Sequence, residues 1–240
     1  MKFILGILLF LLIAAVLFSV TVIVSSLFVT KEFYTENSPY YRFLLMAGSF
    51  IAIKGAGIKI VVSGRENIPK CRFLLVGNHR SNFDPIITWY ALAKEDIAFV
   101  SKPSNFNIPF YGRIIRKCCF MPIDRENPRN AITTINKSAS LIKSGAVSVG
   151  IYPEGTRSKN SELLPFHNGV FKIAQKAASP IVIASVIGTE KVKDNYFRRK
   201  TVVYLDIAEP ISAEEVASLS TSEIGDKVRE ILEKNISKGE

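Results

Sequence analysis

Several features that define other protein classes are scarce or missing in this chain of 240 residues. It contains three cysteines, and the adjacency of Cys118 and Cys119 excludes a disulfide framework and indicates a reducing compartment. Its two histidines, together with scattered carboxylates, lack the spacing of a metal site. The chain has no aromatic-basic repeat and no RNA-binding signature, so nucleic acid is a poor candidate for its partner. The G-x-S-x-G elbow of serine hydrolases is also missing.

Charge is distributed unevenly along the chain. The formal net charge is +10, but the segment from Ser212 to Glu240 holds seven acidic and four basic residues and is net −3. Residues 1–211 therefore carry a net charge of +13. A body with this charge favours anionic partners, such as anionic lipid or phosphorylated substrates.

A long stretch without charge lies near the start of the chain. No charged residue occurs from Phe3 to Thr30, and these 28 residues would form a helix of about 42 Å, longer than the roughly 30 Å hydrocarbon core of a membrane. Two alternatives are a helix in a protein core and a cleaved signal peptide, for which the run is too long and lacks an A-x-A-like site. We therefore predict a transmembrane helix over residues 3–30.

A second apolar and aromatic run extends from Tyr40 to Ile53 and is interrupted only by Arg42. It is suited to lie in the membrane interface or to return as the second arm of a helical hairpin, and the sequence leaves both open. Residues 1–56 are thus predicted to anchor the chain to a membrane. One lysine precedes the first run and several basic residues follow it, which favours a main body on the cytoplasmic face: Lys31, Lys54, Lys59 and Arg65.

From Gly57 onward, short β-rich runs alternate with helical segments, which predicts an α/β domain over residues 57–211. The alternation indicates a mostly parallel sheet of about seven strands, flanked by helices. The predicted strands are Ile58–Ser63, Phe73–Val76, Ile97–Val100, Cys118–Ile123, Val147–Tyr152, Ile181–Ile187 and Val202–Ile207. The predicted helices between them are Pro85–Ala93, Pro128–Lys143 and Gly169–Ala178.

Residues 212–240 form a C-terminal tail that we predict to be two short helices packed on the domain. Two pairs of residues have the spacing of capping boxes: Ser212 with Glu215, and Ser220 with Glu223. The second helix would bury one apolar stripe, formed by Ile224, Val228, Ile231 and Leu232.

The stretch Asn78–Pro85 holds the first candidate for chemistry. It follows the predicted strand Phe73–Val76, and Asp84-Pro85 is typical of a helix start, with the aspartate as N-cap. His79 would then lie where a strand ends and a helix begins, which is where open α/β sheets bind ligands. Asp84, five residues on, can turn back and hold the imidazole as a general base of fixed tautomer. The alternative is a satisfied polar histidine beside a helix cap.

Cations follow three other predicted strands. The stretch from Tyr152 to Ser158 offers a glycine turn at Gly155 for an anion-binding nest, the hydroxyl of Thr156 and the fork of Arg157, although an ordinary turn would look similar. Lys102 and Arg125 also follow predicted strands, and the ends of parallel strands share one edge of a sheet. A histidine base beside these three cations predicts a pocket in which a proton is removed close to a bound phosphate.

The order and spacing of these stretches resemble the 1-acyl-sn-glycerol-3-phosphate acyltransferase family of membrane enzymes that make phosphatidic acid. The resemblance covers roughly residues 55–190. The first family block, N-H-x4-D, is matched by Asn78, His79 and Asp84; the second ends in Asp124 and Arg125; the third, F-P-E-G-T-R-S, is matched from Pro153 to Ser158 with Tyr152 in place of Phe.

The resemblance implies that His79 abstracts the proton of a lysophospholipid hydroxyl while Asp84 orients the imidazole, without a covalent acyl-enzyme. Acyl-CoA or acyl-carrier protein would be the donor, membrane lipids would be partners, and no cofactor is required. Lys102, Arg125 and Arg157 would hold the acceptor's phosphate. The other implied substrate-binding residues are Asn78, Glu154, Gly155 and Thr156. The alternatives are another acceptor, such as glycerol 3-phosphate or another lysolipid, a non-catalytic membrane-anchored lipid-binding protein, or a metal-dependent hydrolase using His79 and His167.

Overall fold

The computed structural model describes residues 2–124, 127–158, 162–196 and 199–239. Within these ranges the fold is built on a seven-stranded sheet with the strand order β1-β7-β6-β2-β5-β3-β4. Every pairing is parallel except that of β6 with β7, which is antiparallel. The predicted mostly parallel α/β sheet is therefore confirmed. Its strands are β1 (Ile58–Ser63), β2 (Leu74–Gly77), β3 (Ile97–Ser101), β4 (Met121–Pro122), β5 (Ser148–Ile151), β6 (Ile181–Ile187) and β7 (Thr201–Ile207).

Helices precede, connect and follow these strands. Short 3₁₀ turns supplement them, of which Pro103–Asn107, Asn168–Phe171 and Thr189–Lys191 bear on the candidate site. The α-helices are α1 (Lys2–Leu27), α2 (Pro39–Gly55), α3 (Phe83–Ala91), α4 (Tyr111–Lys117), α5 (Pro128–Lys143), α6 (Lys172–Ala177), α7 (Val192–Asn195), α8 (Ala213–Ser218) and α9 (Thr221–Gly239).

The central strands have no exposed face. All residues of β2, β5 and β6 are buried, whereas β7 alternates between buried and more exposed positions. Parallel strands covered on both sides read as continuous apolar runs, while a strand covered on one side alternates. The core of the domain therefore lies on both faces of the middle of the sheet, and the candidate site is carried by strands that cannot shift register without exposing this core.

Within the domain, the helix predicted over Pro85–Ala93 is displaced to Phe83–Ala91, and two further predicted elements are shorter than expected. The run Cys118–Ile123 was expected to be a strand, but only Met121–Pro122 pairs with β3. Cys118 caps α4 and Cys119 has a φ of +62°, so the chain is still turning there. The helix predicted over Gly169–Ala178 is a 3₁₀ turn followed by the shorter α6.

The three cysteines differ in burial, so we expect their thiols to differ in reactivity. Burial raises the pKa of Cys118 to about 12 and that of Cys119 to about 11, whereas Cys71 is exposed. Because the thiolate is the reactive form, a maleimide at neutral pH should label the folded protein once, at Cys71, and the unfolded protein three times. Intact-mass measurement checks this, with Cys71→Ser as the unlabelled control. Two or more labels on the folded chain would contradict the buried turn.

The N-terminal helix α1 is long and apolar enough to cross a membrane, and its side chains are exposed over almost its whole length. It ends at Leu27, three residues before the end of the predicted span. Two tyrosines of α2 bond Ser25 near the end of α1. The hydroxyl of Tyr40 lies 2.5 Å from the hydroxyl of Ser25, and the hydroxyl of Tyr41 donates to the carbonyl of Ser25 at 2.9 Å. Arg113 of α4 donates to the carbonyl of Ser26 at 3.1 Å. The C-terminal end of α1 is thus fixed to α2 and to the domain.

The helix α2 is attached to the sheet through a buried guanidinium. Arg42 is 8% exposed and donates to the backbone carbonyls of Asp96 and Ile97 at 2.9 and 3.1 Å. It also bonds the side chain of Asn37 and lies 3.4 Å from the carboxylate of Asp96. The guanidinium carbon of Arg42 also lies over the ring of Trp89, 5.8 Å from the ring centroid. The only charge in the second apolar run therefore attaches α2 to the domain.

Replacing Arg42 by methionine should lower the free energy of unfolding by about 3–5 kcal/mol, because breaking a buried charged contact leaves its partners unpaired. Thermal unfolding of the full chain in detergent measures this. The matched control is Arg65→Met, since Arg65 is exposed and, among the described residues, its side chain donates one bond, at 2.9 Å to the carbonyl of Ala91. Equal melting temperatures for the two variants would contradict the anchoring role.

The C-terminal tail forms two helices, as predicted, but α9 is long rather than short, with 19 residues. Its buried side chains pack toward β6: Ile224, Val228, Leu232 and Ile236. Ser220 and Glu223 form a reciprocal capping box, with bonds of 2.7 and 3.3 Å. In the other predicted box, Ser212 accepts from the backbone of Glu215 at 3.2 Å, and the Glu215 carboxylate pairs with Lys227 instead.

Candidate active site

The carboxyl ends of three neighbouring parallel strands carry the candidate site. β2, β5 and β3 are adjacent in the sheet, and they lead respectively into the segments that hold His79, Tyr152–Ser158 and Lys102. The side chains named from the sequence as strand-end groups therefore reach one edge of the sheet, as expected. Arg125, which follows β4, lies outside the described residues.

A cavity of about 530 Å³ opens at this edge. Its wall brings together an imidazole, two cations and a hydroxyl from segments far apart in the sequence. The predicted residues on it are His79, Lys102, Gly155, Thr156 and Arg157, and His167 joins them.

His79 and Asp84 form a hydrogen-bonded pair. The Nδ1 atom of His79 lies 2.8 Å from Oδ2 of Asp84, so the contact predicted from their five-residue spacing is made. The imidazole side chain is 19% exposed and lines the cavity, whereas the carboxylate is fully buried. With Nδ1 donating to the carboxylate, Nε2 carries the lone pair that can accept a proton.

The buried carboxylate is held by the turn that precedes α3. The backbone N–H groups of Arg80 and Ser81 both donate to Oδ2 of Asp84 at 2.6 Å. Asp84 itself lies within the first turn of α3, which begins at Phe83, so its prediction as the N-cap was wrong. Its oxygen instead closes the loop back onto the residues that follow His79.

The loop after β5 forms two hydrogen bonds with the backbone of His79. The Oε1 atom of Glu154 accepts from the N–H of His79 at 2.7 Å, and the carbonyl of His79 accepts from the N–H of Ser158 at 2.9 Å. The other carboxylate oxygen of Glu154 accepts from the N–H of Leu164 at 2.9 Å. Burial raises the pKa of Glu154, and the hydrogen bonds from Leu164 and His79 oppose that shift.

Asn78 makes a similar connection to β6. Its side-chain amide donates to the carbonyl of Val186 at 2.9 Å, and its side-chain oxygen accepts from the N–H of Val186 at 2.7 Å. Asn78 is fully buried and Glu154 is 3% exposed, and neither side chain lines the cavity. In this geometry the side chain of Asn78 joins β2 to β6, and that of Glu154 holds the backbone N–H of His79; the substrate contact that the resemblance implies for them stays a prediction.

The imidazole of His79 lies at one end of a stack of aromatic rings. The ring of His79 stacks on that of Tyr152 with centroids 4.7 Å apart, and Tyr152 stacks in turn on Phe99 at 5.6 Å. Burial raises the pKa of Tyr152 well above its usual value, and the charge of Asp84 adds to the effect. The phenol therefore stays neutral beside the dyad and limits the tilt of the imidazole.

The turn at Gly155 has a positive φ, of +70°, and two N–H groups of this loop are bonded within the protein. The N–H of Gly155 donates to the carbonyl of Tyr152 at 3.0 Å, and that of Ser158 is bonded to His79. Both donors are thus used within the protein. The side chains of Thr156 and Arg157 are exposed at the cavity, so they are the groups this loop presents to a ligand.

A second, mainly apolar cavity of about 440 Å³ adjoins the first. Pro85, Ile86 and Tyr111 line both cavities. Side chains of α1 and α2 form one wall of the apolar cavity and those of the domain form the other, including Phe18, Val22, Leu44, Leu45, Trp89 and Phe120. The apolar run at the start of the chain therefore contributes directly to an apolar groove that shares three lining residues with the cavity of the dyad.

Sequence reasoning missed two side chains that contact the dyad. Tyr152 was noted only as a substitution within a block, and nothing in the sequence indicated its stacking on His79. Thr189 was not considered, although its hydroxyl lies 2.5 Å from Oδ1 of Asp84. It is 105 residues away in the sequence, and only the position of β6 beside β2 brings it there.

The fold and site together define an α/β domain with a histidine–carboxylate dyad, a cation-lined cavity and an apolar helical attachment. A family model described as Acyltransferase matches residues 59–187, which include His79, Asp84 and Arg157. The chain belongs to this Acyltransferase family.

Individual relatives carry more specific names. The chain is 32% identical over 179 residues to the 1-acyl-sn-glycerol-3-phosphate acyltransferase of Saccharomyces cerevisiae, a match covering 72% of this chain and 58% of the yeast protein. It is 30% identical over 180 residues to the probable 1-acyl-sn-glycerol-3-phosphate acyltransferase of Mycoplasma pneumoniae, covering 71% and 66% of the two chains. The chain thus spans less than two thirds of the length of these relatives.

A solved structure extends the likeness to nearly the whole chain. The crystal structure of the 1-acyl-sn-glycerophosphate acyltransferase of Thermotoga maritima matches with a TM-score of 0.71 at 25% identity. The match covers 99% of this chain and 97% of the Thermotoga chain. The N-terminal helices and the C-terminal tail are therefore included in the common fold.

Proposed function

We propose that this protein transfers an acyl group to the free sn-2 hydroxyl of 1-acyl-sn-glycerol 3-phosphate, forming phosphatidic acid. The donor is acyl-CoA or acyl-carrier protein. The observation that carries the proposal is the convergence of the His79–Asp84 pair with Lys102 and Arg157 on one cavity beside an apolar groove. The names of the relatives support the acceptor, and no cofactor takes part.

His79 acts as the general base. Its Nε2 removes the proton from the acceptor hydroxyl, and the oxygen attacks the carbonyl carbon of the acyl thioester as Asp84 stabilises the imidazolium. The carbon–sulfur bond then breaks, and the departing thiolate takes the proton back from the imidazolium. The oxygen–carbon ester bond replaces the thioester bond directly, so no acyl group is held on the protein.

The exposed cations at the cavity recognise the phosphate of the acceptor. The guanidinium of Arg157 provides a planar pair of donors suited to phosphate, the ammonium of Lys102 adds a point charge, and the hydroxyl of Thr156 adds a donor. Gly155 sets the turn that presents them. Arg125 remains a predicted fourth group. Asn78 and Glu154 act by positioning the backbone of His79.

The apolar groove receives an acyl chain. Its walls come partly from α1 and α2, which supports a reaction at the membrane surface in which a lipid enters from the side. The helix α1 anchors the chain in the membrane, and the domain lies on the cytoplasmic face, where thioester donors are available. The basic body favours these anionic donors and an anionic lipid surface.

An acceptor panel tests the proposal. The full chain is purified in detergent and supplied with labelled acyl-CoA and, separately, lysophosphatidate, glycerol 3-phosphate, lysophosphatidylcholine or monoacylglycerol. Lysophosphatidate should give the highest kcat/KM, by about tenfold or more, because monoacylglycerol and lysophosphatidylcholine lack its terminal phosphate for charge-assisted contacts and glycerol 3-phosphate lacks an acyl chain for the apolar groove. A higher kcat/KM for glycerol 3-phosphate or another lysolipid would show that this molecule, rather than lysophosphatidate, is the acceptor. Binding of lysophosphatidate without turnover with either acyl-CoA or acyl-carrier protein would support a lipid-binding protein instead.

A further inference from the structure

The buried carboxylate of Asp84 is bound through both of its oxygens, and by different parts of the chain. Oδ2 accepts from the residues around His79, all within the loop that leads into α3. Oδ1 accepts from the hydroxyl of Thr189 at 2.5 Å. A hydroxyl donating to a carboxylate at this separation is at the short, strong end of hydrogen bonds.

Thr189 reaches Asp84 because of the backbone that precedes it. It is the first residue after β6 and Gly188, is 1% exposed and begins a 3₁₀ turn. Gly188 has a φ of +93°, and a Cβ atom there would lie 2.7 Å from the carbonyl oxygen of Val202. Only glycine fits this turn without displacing β7. The tight turn directs Thr189 back under the loop that carries the dyad.

We infer that Thr189 is a positioning residue for the base, acting through Asp84. The terminal torsion of an aspartate has a broad energy minimum, so donors on one oxygen alone leave the carboxylate plane poorly fixed. Among the described residues, Thr189 supplies the donor that reaches Oδ1 and completes a chain of contacts from Thr189 to Asp84 to His79. The inference rests on the proposed role of His79. Thr189 lies two residues beyond the segment matched by the family model.

Removing the hydroxyl tests the inference. Thr189→Ala and Thr189→Val should lower kcat by about 10–100-fold, by analogy with the loss of outer partners that orient metal-binding histidines, with KM for both substrates unchanged. Thr189→Ser keeps the donor and should retain kcat within about threefold, because the lost methyl group does not touch the chemistry. The matched control is Ser138→Ala, since Ser138 is also fully buried and its hydroxyl bonds only within α5 and to Met121.

A second readout follows the imidazole itself. The chain has two histidines, so the N–H resonances of labelled imidazole in the full chain can be assigned with His79→Ala. The Nδ1–H resonance of His79, shifted downfield by its bond to Asp84, should be retained in Thr189→Ser and broadened or lost in the Ala and Val variants. If valine prevents folding, the Ala and Ser pair decides the outcome, since both fit the space.

The outcomes separate this inference from the proposed function. Wild-type protein that transfers no acyl group would overturn the general-base role, while the resonance would still report whether Thr189 orders the pair. Wild-type kcat and an unchanged resonance in both Thr189→Ala and Thr189→Val would overturn the positioning role. Equal losses of kcat in Thr189→Ser and Thr189→Ala would also overturn it, because the methyl group rather than the hydroxyl would then matter.

Discussion

Replacing His79 by alanine should lower kcat for acyl transfer by about 10²–10⁴-fold while leaving KM within a few-fold of the wild-type value. The variant removes the one imidazole that is bonded to a buried carboxylate in the described structure, and with it the proposed acceptor for the hydroxyl proton. The side chains proposed to bind the phosphate remain in this variant, so we expect the acceptor to bind as before. Initial rates at saturating acyl-CoA, with lysophosphatidate varied, separate the two parameters.

The second histidine provides the matched control for this prediction. His167 also lines the cavity, but its side chain is exposed. The hydrogen bonds it makes to the described residues are those of its backbone, from its N–H to the carbonyl of Pro153 at 2.9 Å and from the N–H of Val170 to its carbonyl at 3.1 Å. His167→Ala should therefore change kcat by less than about fivefold, since no general-base contribution is lost. A His79→Ala enzyme with nearly wild-type kcat, or an equal loss in both variants, would contradict the assignment of the base.

Glu154→Gln should reduce kcat/KM by about 10²-fold, although the two side chains have nearly the same shape. Each carboxylate oxygen of Glu154 accepts from a different backbone N–H, that of His79 and that of Leu164. Glutamine offers one oxygen, so its NH₂ group must face one of these N–H donors. The backbone that carries the base then moves, and a displacement of about 1 Å at a reacting group costs roughly this factor.

Stability should fall with activity in Glu154→Gln, because a buried N–H group left without an acceptor costs about 1–3 kcal/mol. Thermal unfolding and steady-state kinetics of the same preparation measure both effects. Glu162→Gln is the control, since this exposed glutamate lies in the same loop and should behave as the wild type. Wild-type activity in Glu154→Gln would rule out the clamp between the two loops.

The sheet was largely predictable because its strands are short apolar runs separated by clear turns and helices. The bounds of β1 and β6 match the prediction: β6 is an almost continuous apolar run that is buried at every position, whereas β1 is an alternating edge strand bounded by Gly57 and Gly64. The order of the strands and the antiparallel pairing of β6 with β7 were not predictable, because they depend on contacts between distant segments. The run at Cys118 has strand-like composition but turns sharply, which composition alone does not reveal.

The site was predictable where its chemistry is local. His79 and Asp84 lie five residues apart, and one loop brings them to 2.8 Å. Glu154 has no such local signal for its role, since its partners are backbone groups 75 and 10 residues away. Thr189 is a single threonine after a strand, and its contact with Asp84 exists only because β6 and β2 pair. Positioning residues of this kind follow from topology rather than from motif.

We propose that proton removal and phosphate recognition occur in the same cavity but through different side chains. The decisive measurement is the ratio of kcat/KM for lysophosphatidate to that for monoacylglycerol in the wild type, Arg157→Gln and His79→Ala. Arg157→Gln should reduce this ratio by about tenfold, the effect of losing one charge-assisted phosphate contact, whereas His79→Ala should lower both rates and leave the ratio unchanged. An unchanged ratio in Arg157→Gln, or a ratio that collapses in His79→Ala, would contradict the account.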